Sequence, residues 1–258
     1  MDKNQKEVIQ KIILNSLQEL SIDMDIDLES IIFGQSLSDD ETLPYLISKK
    51  LHREYSVYNY GFNGYGPHQF LSKLENNRIK EIGHCNNLIL IYKFIPDHVG
   101  RTAGRRSYGE NSPRYILKND IVIQKGFFSD YPFKIIMKFR KNIRNSVIIS
   151  SIYDVRKTNN NDKTIFLNIL KKIELESKKA FQNVSFINVI WYENLGVWNN
   201  SENEFLEIYN YLKGKKYIIV DNLNIDENIK RNNIDGDQHP TKDYNEILSN
   251  EIVKIIND

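Results

Sequence analysis

An apolar run that ends in a glycine-x-serine turn can lift a hydroxyl above the end of a sheet. Residues Ile31-Ile32-Phe33-Gly34-Gln35-Ser36-Leu37-Ser38-Asp39 read in that way. Far downstream, Asp235-Gly236-Asp237-Gln238-His239-Pro240 sets a carboxylate two residues before an imidazole. A serine hydroxyl is a poor nucleophile until an adjacent base takes its proton, and that base needs a carboxylate to hold the useful tautomer. Ser36, His239 and Asp237 are thus a candidate nucleophile, base and orienting acid. They can meet only if the fold brings the two ends of the chain together.

The elements between them have that capacity. Short apolar runs at Ser30–Phe33, Ser56–Tyr60, Asn87–Phe94 and Ser185–Tyr192, with a weaker one at Tyr217–Val220, read as buried strands. Helical patterns separate them at Thr42–His52, Pro67–Lys80, Thr164–Phe181, Asn203–Lys213 and Asp243–Ile256. Strand-helix alternation implies right-handed crossovers and a mainly parallel sheet covered on both faces. Val8, Ile9, Ile12, Ile13 and Leu17 recur at helical spacing, which predicts an opening helix over 4–20. Ile22, Met24, Ile26 and Leu28 alternate with acids and predict an edge strand. The stretch from Arg101 to about Asn161 breaks the rhythm and reads as an insertion, with strands of its own at Asp120–Ile123 and Ser146–Ile149. The expectation is one domain over 1–258. Ligands bind such a sheet at the carboxyl ends of its strands, and Ser36, the Asn59–Gly66 turn and Asp97-His98 all follow predicted strands.

Bulk properties narrow the partners. The 258 residues are 40% apolar, enough for a sizeable core, and 35 Lys and Arg against 34 Asp and Glu leave a net charge of +1. That balance gives no reason to expect nucleic acid or an acidic membrane as partner. The single Cys85 excludes an internal disulfide. Charges within the first twenty residues interrupt any signal-like run, and no stretch reaches the length of a membrane span, so as it stands the chain reads as cytoplasmic. The five His and one Cys form no metal-ligand pattern, and no cofactor is expected.

Phe33-Gly34-Gln35-Ser36-Leu37-Ser38-Asp39 resembles the first block of the SGNH, or GDSL-type, hydrolases, in which Asp usually stands where Gln35 does here. Val57-Tyr58-Asn59-Tyr60-Gly61-Phe62-Asn63-Gly64-Tyr65-Gly66 resembles their second block, and Asp237-Gln238-His239-Pro240 a short form of their last. The resemblance implies a flavodoxin-like three-layer α/β/α sandwich and hydrolysis of a small acyl, often acetyl, ester of a carbohydrate or lipid. It implies Ser36 as nucleophile, His239 as base and Asp237 as its orienting partner. The backbone N–H groups of Ser36 and Gly64 would serve the oxyanion, and Asn63 and Arg101 the substrate. The third block normally supplies an Asn that is absent after Leu88–Phe94; either His98 donates to the oxyanion in its place or that donor is missing.

Alternatives stay open at several positions. Relatives often place the serine about twelve residues before a run like Asp39-Asp40-Glu41-Thr42-Leu43-Pro44, and that register selects Ser30. The turn glycine favours Ser36. Arg101, Arg105 and Arg106 read as a substrate-holding cluster or as solvated surface charge. Trp191, Tyr192 and Trp198 read as a sugar platform or as packing. His52, His68 and His84 have no partner spacing. The altered blocks also fit a catalytically inactive scaffold that binds rather than cleaves.

Overall fold

The computed structural model describes residues 10–14, 37–51, 55–62, 64–79, 87–106, 109–145, 157–190, 205–219 and 239–258. They fall into two compact units, one drawn from 1–63, 79–95 and 177–258, the other from 64–78 and 96–176. The segment expected to be an insertion at 101–161 lies within the second unit, which also takes in 64–78.

The first unit is a doubly wound α/β layer structure. Its strands are β1 (Gln10–Leu14), β2 (Tyr55–Asn59), β3 (Asn87–Phe94), β6 (Asn183–Ile190) and β7 (Lys216–Ile219), in the spatial order β2-β1-β3-β6-β7. Every pairing is parallel. The carboxyl ends of all five strands therefore share one edge. Helices α1 (Leu43–Lys50) and α7 (Lys242–Asn257) cover one face. Leu43, Ile47, Tyr244, Leu248 and Ile252 pack there on Ile91, Ile187, Val189 and Ile218. Helix α6 (Leu206–Lys213) covers the other face, where Tyr209 meets Phe94 edge-on at 5.3 Å and the Leu212 carbonyl accepts from the Asn188 amide at 3.2 Å. Burial on both faces is why Leu88–Phe94 is apolar at nearly every position, Lys93 excepted.

The fold class is as expected, but the opening helix is not. Residues 10–14 form a strand, laddered to β2 from Gln10↔Tyr55 to Leu14↔Asn59 and to β3 from Gln10↔Asn87 to Leu14↔Ile91. Isoleucines spaced for a helix also suit a short buried strand, being β-branched, and two parallel neighbours supply backbone partners that settle the choice. The strands expected at 22–28, Ser30–Phe33 and Ser146–Ile149 lie outside the described residues.

The second unit holds α2 (Pro67–Glu75), α3 (Asp97–Thr102), the antiparallel hairpin β4 (Pro113–Lys118) and β5 (Ile121–Phe127), α4 (Phe133–Asn145) and most of α5 (Asn160–Ala180). Asn119 and Asp120 turn the hairpin with φ of 51° and 60°. Both positions tolerate the left-handed region that a tight hairpin demands, as Asn and Asp do more readily than most residues.

Candidate active site

The order β2-β1-β3 places a topological switch point between β1 and β3, and ligands of such sheets bind in the crevice at the carboxyl ends there. His239 comes to this edge. Lys216 opens β7, and its ammonium donates to the Ile255 carbonyl, near the end of α7, at 3.1 Å. Helix α7 therefore runs back against the strand and begins at the carboxyl edge. Thr241 caps it, accepting from the Tyr244 N–H at 3.3 Å. His239 stands two residues before that cap and is fully buried.

The described residues that follow Ser36 lie beside those that follow His239. The Asn245 amide of α7 donates to the Glu41 carbonyl, just before α1, at 3.2 Å. Lys50, the last residue of α1, pairs with Glu246 at 2.7 Å and donates to the Ser249 hydroxyl at 2.6 Å. The two helices thus run side by side from the same edge. Ser36, Ser30, Asn63 and Asp237 lie outside the described residues, as do Cys85, His52, His84, Trp191, Tyr192 and Trp198.

Lys93 is a residue that sequence reasoning missed. By the alternation of β3 it shares the face of Ile91, under α1 and α7, one residue from the strand's end. Its side chain is buried, and burial pushes its ammonium well below the usual lysine range. The signal was a lone Lys within the apolar run Leu88–Phe94.

In the second unit, Gly64 has φ +80°, a left-handed conformation that suits glycine. Gly66 caps α2, its N–H donating to the Gln69 side chain at 2.9 Å. A Cβ at Gly66 would stand 3.1 Å from the His68 ring and 3.5 Å from the Arg101 Cβ, so this glycine serves close approach. His98 is buried on α3.

The expected solvated arginine cluster is corrected by a buried network. Arg101 Nε donates to Asp97 Oδ2 at 2.6 Å, Arg106 pairs with the other carboxylate oxygen, and Arg105 pairs with Asp162 at 2.6 Å. Arg101 also donates to the Tyr65 carbonyl at 3.0 Å, which clamps the glycine turn onto α3. An aspartate four residues before an arginine on one helix was the signal.

His68, assigned no role from sequence, is 1% exposed, and neither ring nitrogen has a hydrogen-bond partner among the described residues. Its ring meets Phe128 edge-on at 6.3 Å. Burial lowers its pKa to about 3. The folded chain therefore keeps His68 neutral where the unfolded chain begins to protonate it near pH 6.5. Stability attributable to this residue is complete above pH 6.5 and is lost progressively as the medium acidifies toward pH 3. Urea unfolding between pH 7 and about 4.5 should show stability falling more steeply with acid in the native chain than in His68→Leu. Identical slopes would contradict it.

No protein-family model and no curated protein matches the chain. Among solved structures, the chain is similar to the crystal structure of a member of the lipolytic protein G-D-S-L family from Veillonella parvula DSM 2008. That match covers 96% of this chain and 98% of that one at 13% identity, with a TM-score of 0.50. A second match is the structure of a putative lipolytic protein of G-D-S-L family from Desulfitobacterium hafniense DCB-2, at 9% identity over 96% of this chain and 99% of that one, with a TM-score of 0.48. At these identities the likeness of the first structure establishes the fold.

Proposed function

We propose that the chain is a serine ester hydrolase that removes a small acyl group, acetyl foremost, from a carbohydrate or lipid ester. The observation that carries this reading is the buried His239 at the carboxyl edge, where α7 begins beside the segment that follows Ser36. A protected imidazole at that edge is suited to take the proton of a serine hydroxyl and return it to the leaving alcohol. Asp237 orients the imidazole in this scheme. The Ser36 backbone N–H serves the oxyanion in the same scheme, a donor of that kind contributing on the order of 3 kcal/mol. Arg101, first assigned to substrate, holds the glycine turn in place through Tyr65 and Asp97. The fold shared with a protein described as lipolytic supports the reaction class.

Three serines compete for the nucleophile. Ser36 and Ser30 follow from the sequence blocks. The position of β1 adds a third, because Leu14 ends the strand at the switch point and the next hydroxyl in the chain is Ser16, in Leu14-Asn15-Ser16-Leu17. Hydrolysis of p-nitrophenyl acetate should exceed that of longer-chain esters. It should collapse in one of Ser16→Ala, Ser30→Ala and Ser36→Ala, and persist in the other two. Equal rates in all three variants and the native chain would contradict an active serine and favour the scaffold reading, to which Gln35 and the missing third-block Asn already lend support.

A further inference from the structure

We propose that helix α4 docks the protein on an anionic lipid bilayer surface, lying in the headgroup plane without spanning it. The sequence Phe133-Lys-Ile-Ile-Met-Lys-Phe-Arg-Lys-Asn-Ile-Arg-Asn145 contains five cations and no carboxylate. Phe133, Met137 and Arg140 recur at helical spacing on the inner face, where Met137 is buried and Arg140 donates to the Gly104 carbonyl at 2.7 Å. The outward face divides in two. Ile135, Ile136 and Phe139 form an apolar stripe, exposed by 57%, 41% and 64%. Lys134, Lys138 and Lys141 form a row beside it, exposed and without ion pairs among the described residues. Tyr131, 82% exposed, stands just ahead of the helix.

The whole-chain charge of +1 conceals this. Residues 113–145 carry eight cations and two carboxylates, net +6, while the rest of the chain carries 27 and 32, net −5. Charge complementarity selects an anionic occupant, and the apolar stripe selects one that can also take Ile135 and Phe139 out of water. A bilayer with anionic headgroups offers both: lysines reach the phosphates, the stripe enters the acyl boundary and an exposed tyrosine suits the interface. A nucleic acid would neutralise the lysines and leave the stripe wet. A second copy would set one cationic helix against another. No helix among the described residues is long and apolar enough to cross a membrane, and surface docking requires none.

Vesicle co-sedimentation of the full chain tests this. Vesicles of phosphatidylcholine with about one third phosphatidylserine should pellet the protein, more weakly at high salt, and neutral phosphatidylcholine vesicles should leave it in solution. Lys134→Gln with Lys138→Gln should lower partitioning by about tenfold or more, and Phe139→Ser with Ile135→Ser by a similar factor. These are surface positions, so circular dichroism should stay unchanged. Equal pelleting with neutral vesicles, no pelleting with either, or unchanged partitioning of both double variants would overturn the proposal. So would a dimer that the Phe139→Ser pair dissociates, or a preference for double-stranded DNA over vesicles.

Discussion

His239→Ala is expected to lower kcat for p-nitrophenyl acetate by about four to six orders of magnitude, with KM changed far less. An imidazole that both takes and returns the reacting proton acts in the transition state and contributes little to ground-state binding. Because His239 is fully buried, the smaller side chain also opens a cavity, and His239→Gln serves as a companion of nearer volume. Steady-state kinetics of both variants, with circular dichroism to establish folding, checks the claim. A folded His239→Gln protein that keeps a tenth or more of the native rate would remove the imidazole from the chemistry.

The second large effect lies in stability. Asp97→Ala should destabilise folding by about 3–5 kcal/mol, because its carboxylate compensates both Arg101 and Arg106, whose side chains are almost wholly buried. The loss is mainly the cost of two guanidiniums left inside without their counter-charge. Urea unfolding measures it, and a difference below about 1 kcal/mol, the range of an exposed pair, would mean that water reaches the arginines. Released from Asp97, Arg101 would also loosen its hold on the Tyr65 carbonyl and so on the turn that carries Gly64.

Legibility in the sequence followed the strength of local signals. Strand β3 was read at its observed limits, since Asn87–Phe94 is short and its apolar residues are rich in isoleucine and aromatics, which favours a buried strand over a helix. The turn at Gly64 was legible because few residues other than glycine take φ +80° without strain. Strand β1 was misread because Ile12 and Ile13 satisfy both periodicities, and only parallel partners far along the chain decide between them. The arginine cluster was misread for a related reason. A guanidinium reads as solvated until the aspartate that compensates it is identified, and the helix that sets Asp97 one turn before Arg101 was not expected. Lys93 and His68 carry no motif, and only packing reveals that they are buried. Helix α4 broke the expected pattern because its apolar residues face outward as well as inward.

The most direct test of the central claim is labelling of the folded chain with a serine-directed fluorophosphonate, followed by peptide mapping. Such a probe reacts with a serine only when a base activates it. Stoichiometric labelling is expected at a single serine among Ser16, Ser30 and Ser36, abolished in His239→Gln. Absence of labelling in folded protein, or labelling that survives the loss of His239, would contradict it.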